Sequence, residues 1–385
     1  MKRSLLPAGG ALLAVGLMAA GLSGTAQAAG DIDTDTMANS TREAASIVSF
    51  WAASNGAALR AATSYTWDAA DVKKVIQKGG YSPDGSPGMV APTTTTGSGR
   101  SQNINLPKTV GKVFFVDASG KYRWCTATSV QSNHRNLVAT AGHCAYDTAG
   151  NSDVMGKWVF VPGYYEGKAP HGIYVGKQAF THYDFSNYED YDRDYAFVTV
   201  YNGVAFDGVK QVGKKDYDAF SGLKWSRGGK HHLLVSRDAG RLGDNVGAQG
   251  LAWNQPSGKP VRAFGYPYAA HPDGDRPYSG VTPKTCYGPT TGKKVGASWL
   301  KIDEHVGLKC AVTPGYDGGP WLKAYSNAKR LGYVNGVTST FADQDGNDRI
   351  DWITSPYFDG ETAEVYNAAK NRWSGKIVGP KGELR

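Results

Sequence analysis

An all-β domain, a barrel or sandwich of short strands, is the fold class this sequence predicts, on three observations. From about Val110 onward, β-rich runs (GKVFFVD, LVATAG, KWVFVPG, YAFVTVY, LLVS, VRAFGYP, LGYVNGVTST) follow one another, separated by Gly, Pro, Asn and Asp turns. No regular alternation of helices separates them, as a parallel sheet would require. The 385 residues include 50 Gly, 22 Tyr and 10 Trp, a composition that leans toward strands and turns.

The elements follow in order. Residues 1–28 read as a secretory signal: Lys2 and Arg3 form the charged start, and Ala11 to Leu22 is an apolar run too short for a comfortable membrane span. Ala26-Gln27-Ala28 is an A-x-A cleavage site. Residues 29–86 have alanine-rich helical character. Ile47, Phe50, Trp51 and Ala58 share one face, and Ser54 interrupts it. The segment is too small to hold a core of its own, so it is a helical pro-segment or an arm packed on the main domain. Residues 87–109, rich in Pro, Gly, Ser and Thr, read as an exposed linker. Residues 110–385 form the β domain, closing on a C-terminal helix over ETAEVYNAAKNRW.

Composition narrows the function. The formal net charge of +8 falls to +6 once Lys2 and Arg3 are removed. The remaining Lys and Arg are scattered among acids with no basic stripe, which argues against a nucleic-acid partner. No membrane association is expected after signal cleavage. Cys125, Cys144, Cys286 and Cys310 make an even set in an exported chain, which suggests two disulfides with three pairings open. No C-x-x-C pair is present, so a cysteine-rich zinc site is not expected. No metal is expected, and no phosphate or dinucleotide loop points to a cofactor.

Three stretches carry chemistry. In NLVATAGHCAYD an apolar strand runs into small residues and then His143 and Cys144, a setting that can hold a histidine as a proton carrier. In DRDYAFVTVY, Asp194 precedes an alternating strand, where a buried acid can orient a histidine ring; Asp184, Asp190 and Asp192 are competitors. In CAVTPGYDGGPWL the glycines permit a tight turn whose amides, those of Gly315 and Asp317, can converge as an oxyanion hole.

The order of these stretches, from Val110 to Tyr366, resembles the chymotrypsin-like (trypsin-like) serine peptidases, in particular those secreted by actinobacteria. The resemblance implies two six-stranded antiparallel β-barrels with the site between them and a peptide or protein substrate, here taken by a monomer. Thr140 to Cys144 match TA-x-HC, so His143 takes the general-base position and Asp194 that of the triad acid. Gly315 to Pro320 match G-x-S-G-G-P, which puts Gly315 on the oxyanion glycine and Asp317 on the nucleophile. The resemblance also implies the bridge Cys125–Cys144, and with it Cys286–Cys310. The FW…LRAAT segment looks like the pro-regions of these peptidases.

Asp317 departs from the pattern. A serine is a nucleophile because histidine takes its proton as it attacks. A carboxylate has no such proton to give, and its charge opposes the oxyanion. The expected function is therefore a secreted peptidase homologue that binds peptides or proteins without cutting them. The alternatives are an active endopeptidase, using another serine such as Ser279, Ser298 or Ser339, and an envelope-associated structural protein. The acid-rich run Phe341 to Asp351 reads as a solvated turn rather than a calcium loop, since it is out of register with an EF-hand. The long loop from Phe264 to Gly280 reads as surface, with a peptide cleft as the other possibility.

Overall fold

A computed structural model describes residues 31–66, 75–80, 83–95, 106–148, 153–380 and 382–384. The expected signal and residues 96–105 of the expected linker lie outside them.

The chain is mostly β, as the sequence predicts, and its fold is chymotrypsin-like. The first half closes on itself. Val110–Val116 pairs with Tyr122–Val130, which pairs with Leu137–Thr140 and on to Ala196–Val200. Ala196–Val200 pairs with Tyr174–His182, then Gly156–Pro162, which returns to Val110–Val116. All six contacts are antiparallel, and the return to the first strand closes the barrel. Its strands are buried on nearly every residue, and the alternation expected after Asp194 is not borne out, since Ala196–Val200 is buried throughout.

The second half is two facing sheets rather than one hydrogen-bonded ring. One contains Lys284–Pro289, Pro260–Gly265, Pro320–Ser326, Leu331–Val337 and Gly250–Trp253. The other contains Thr340–Ala342, Trp352–Ser355, Ile302–Lys309 and Lys294–Ala297. A separate antiparallel sheet of Gly203–Val212, Lys230–Gly240 and Lys224–Arg227 projects between the halves in sequence. Only its LLVS run was readable as strand; the rest is too polar to show a pattern.

The N-terminal segment is woven into both halves. Ile32–Thr36 adds to the edge of Tyr174–His182. The helix Thr41–Ala61 starts at Ser40, whose side chain accepts the Glu43 amide, and breaks at Ala53 to Gly56, where Ser54 and Asn55 adopt left-handed φ of 50° and 58°. The polar interruption at Ser54 is thus the site of a real kink. Ile47 and Trp51 are buried, and Phe50 and Ala58 are half-buried against the barrel core. Ile76–Lys78 pairs with Lys294–Ala297. Gly88–Val90, inside the stretch expected to be an exposed linker, pairs with Gly250–Trp253, and Thr93 bridges to Ala248.

The C-terminal helix, Gly360–Ala369, begins in a capping box of Asp359 and Thr362. It returns to the first barrel, where Tyr366 meets Phe197 edge-on and its hydroxyl donates to the Gln131 carbonyl at 2.7 Å. The two expected disulfides, Cys125–Cys144 and Cys286–Cys310, are both present, with Cα separations of 6.1 and 5.9 Å.

Candidate active site

Strand Leu137–Thr140 ends in a single 3-10 turn, Gly142–Cys144, which the Cys125–Cys144 bridge ties to the neighbouring strand. That turn presents His143 to Asp194. One carboxylate oxygen accepts the His143 backbone amide at 2.9 Å, and the other accepts from Nδ1 at 2.8 Å. Ser339 donates to that second oxygen at 2.5 Å. Asp194 has no exposed surface, and His143 has 1%.

The competing acids are engaged elsewhere. Asp190 pairs with Arg193, Asp192 accepts the amides of Asp303 and Glu304, and Asp184 lies 3.9 Å from Arg193. Only Asp194 reaches His143 through both a ring and a backbone contact.

The Asp317 turn docks on the same strand that carries Cys125. The Thr126 amide donates to the Asp317 carbonyl at 2.8 Å, and the Thr126 hydroxyl donates to the Gly315 carbonyl at 2.7 Å. Gly315 and Gly318 have φ of 104° and 72°, and a Cβ on either would fall within 2.6 Å of a neighbour: Tyr266 O for the first, Thr140 Oγ1 for the second. The turn therefore needs glycine at both positions for φ and for space.

The Asp317 carboxylate lies between two groups. Oδ2 accepts the Gly315 amide at 2.6 Å, and Oδ1 is 3.4 Å from His143 Nε2. The amide read as an oxyanion donor is thus already bonded to an anion belonging to the same turn. Asp317 itself is 4% exposed.

Electrostatics follow from this geometry. Burial works against a charged His143 ring, but Asp194, by charge and hydrogen bond, and Asp317, by hydrogen bond and charge, outweigh it and raise its pKa to about 10. Burial likewise pushes Asp194 up, and the His143 charge with the hydrogen bonds from His143 and Ser339 pulls it below the usual carboxylate range. At neutral pH the raised pKa keeps the His143 ring protonated between Asp194 and Asp317. A general base must be neutral to take a proton, so this resting state is poorly suited to base catalysis at neutral pH.

The ring should titrate accordingly. By NMR, the His143 imidazolium should persist through neutrality with a midpoint near 10, and Asp317→Asn should lower it by removing one anion. A folded pKa above the ordinary 6.5 means stability fully present below 6.5 and lost as pH rises through about 10. A midpoint at or below 6.5 would show that the two carboxylates do not hold the charge.

Residues that the motifs did not supply complete the site. Tyr65, from the N-terminal segment, lies over His143 with ring centroids 6.2 Å apart at 28°, and Tyr191 lies at 6.4 Å and 29°. Thr63–Ser64 pairs in parallel with Arg123 and Trp124, and the Tyr65 amide donates to the Trp124 carbonyl at 2.9 Å. The chain's own extended segment therefore pairs with a strand edge beside His143. From sequence Ser339 reads as an alternative nucleophile; neither spacing nor composition marks it as a partner of the acid.

The alternative serines are accounted for differently. Ser339 serves Asp194, Ser279 accepts the Val281 amide, and Ser298 opens the turn Ser298–Leu300. Cys125, His143 and Cys144 approach closely enough to suggest a metal cluster, but both sulfurs are consumed in the disulfide. In the acid-rich loop, Asp343 accepts the amides of Gly346, Asn347 and Asp348, an arrangement that closes a turn.

Comparisons with known proteins agree on the fold. No family model matches the chain, and no curated protein does. Among solved structures, the protease Anisep from Arthrobacter nicotinovorans is 25% identical with a TM-score of 0.51, over 70% of this chain and 99% of that one. A thermostable serine protease, AL20, from an extremophilic microorganism is 26% identical with a TM-score of 0.51, over 69% of this chain and 98% of that one. The structural neighbours of this chain are chymotrypsin-fold serine proteases.

Proposed function

We propose that this chain is an exported, peptide- or protein-binding homologue of the chymotrypsin-fold serine peptidases, in which Asp317 has disabled cleavage. One observation carries the reading: the Asp317 carboxylate occupies both positions that acyl transfer needs, facing His143 Nε2 and holding the Gly315 amide. An oxyanion forming there would meet a fixed negative charge and a donor already in use. Attack by the carboxylate itself on an amide would give a mixed anhydride and expel a poor leaving group.

Peptide binding does not depend on that atom. Extended segments bind by pairing with a strand edge, and Tyr65 shows such pairing at Trp124 within the chain itself. Export is supported by the two disulfides, which need an oxidising compartment. No helix among the described residues is long and apolar enough to cross a membrane.

The test is equilibrium binding of labelled casein-derived peptides, with mass spectrometry of the same samples. Binding with the peptides recovered intact after prolonged incubation is expected. Progressive cleavage that survives Asp317→Ala but not His143→Ala would replace this reading with that of a working peptidase using a different nucleophile.

A further inference from the structure

Next to Trp124, on the flank of the oxyanion turn, is a pocket of about 350 Å³. Trp124 links the two places: a Cβ on Gly315 would fall 2.7 Å from its ring, and the same indole lines the pocket. Lys112, Trp124, Tyr164, Tyr268, Gly280 and Leu59 contribute to its wall. The long loop from Phe264 to Gly280, read from sequence as surface, supplies two of them.

Lys112 is the unusual member. It belongs to the barrel strand Val110–Val116, whose other residues are apolar or glycine, and it is 3% exposed. Its ammonium lies 3.3 Å from the Trp124 ring centroid and 4.5 Å from that of Tyr164, so it sits between two rings of the pocket wall. Tyr266 and Phe114 are at 5.4 and 5.9 Å. Among the described residues no carboxylate pairs with it and no oxygen accepts from it.

Ring faces favour a cation but do not replace a hydrogen-bond acceptor. A buried ammonium without an acceptor or counter-ion is costly. Burial accordingly pulls Lys112 well below the ordinary lysine pKa. The other charges at the pocket do not answer it. The Arg60 guanidinium is turned away to the carbonyls of Asn55 and Ser54 at the helix kink, and Glu166 is exposed on the rim.

We propose that this pocket is a subsite for a carboxylate, carried by an acidic side chain or by the C-terminus of a bound peptide, with Lys112 as its counter-ion. The inference rests on the peptide-binding reading and gives that cleft a preference. Trp124 supplies the continuity: a peptide near Gly315 has the pocket one indole away. The entering carboxylate completes the pair that the fold leaves incomplete, in a setting where rings on two sides keep water from screening it.

The test uses the full exported chain and four versions of one fluorescent peptide: Glu or Gln at a single position, each with a free or an amidated C-terminus. Wild type should bind at least one carboxylate version at least tenfold more tightly than the doubly neutral one, and the two arms tell which carboxylate is used. Lys112→Met should abolish that preference, so that carboxylate and neutral versions bind the variant equally. The four-way comparison on wild type needs no variant, so the test stands even if Lys112→Met fails to fold. Equal affinity for all four peptides, or a preference retained in Lys112→Met, overturns the subsite alone. Failure of every peptide to bind overturns the binding reading and the subsite with it.

Discussion

Asp317→Ser should turn this protein into a peptidase. The change removes the carboxylate that holds the Gly315 amide and puts a hydroxyl on the side facing His143 Nε2. The other groups that the proposed reading assigns to acyl transfer are held by specific contacts. Asp194 orients His143 through two contacts, Ser339 holds Asp194, and the glycine turn is locked onto Thr126. Loss of the Asp317 charge should also lower the His143 pKa toward the range where the neutral ring can act as a base. Triad nucleophiles are worth on the order of a millionfold in turnover, so a gain of at least about a thousandfold over wild type is expected on a casein or peptide substrate. Asp317→Ala should not show that gain, since it relieves the charge without supplying a nucleophile. Adding His143→Ala to the serine variant should abolish it.

The second large effect concerns the N-terminal segment. Trp51 has no exposed surface, and its indole donates to the Lys157 carbonyl at 2.6 Å. It meets Phe50, Phe114 and Tyr122 in the same cluster as the barrel core. Truncating a fully buried tryptophan typically costs about 3–5 kcal/mol. If residues 29–86 fold as one unit with the barrel, Trp51→Ala should shift the main unfolding transition by that amount, measured with denaturant on the full chain. An unchanged main transition, with a small separate one lost, would mark the segment as a detachable arm. Should the segment prove removable, His143 would lose the Tyr65 ring that now lies over it.

The sequence disclosed the chemistry unevenly, for physical reasons. His143 and Asp317 sit in turns whose small residues and glycines are fixed by local backbone geometry, and such demands leave a compact signature. Gly315 and Gly318 are legible because no other residue fits their φ and space. Asp194 was separable from its neighbours because it alone opens a buried strand. Ser339, Tyr65 and Lys112 left no such mark. Ser339 meets Asp194 across 145 positions, Tyr65 reaches the site from an arm, and the meaning of Lys112 depends on rings contributed by three other segments. Partners of that kind are created by tertiary closure. The same holds for Gly88–Val90: a Pro- and Gly-rich stretch shows no period of its own and becomes a strand because Gly250–Trp253 offers it an edge.

The occupied nucleophile position is the central claim, and phosphonylation tests it most directly. A fluorophosphonate probe reacts with a serine only when a base activates it and an oxyanion hole receives the phosphoryl oxygen. Purified wild type, Asp317→Ser and Asp317→Ser/His143→Ala should be labelled side by side, with the modified peptide located by mass spectrometry. Wild type and the double variant should stay unlabelled, and the single variant should be labelled at position 317 to nearly full occupancy. Stable labelling of wild type at any serine would contradict the account.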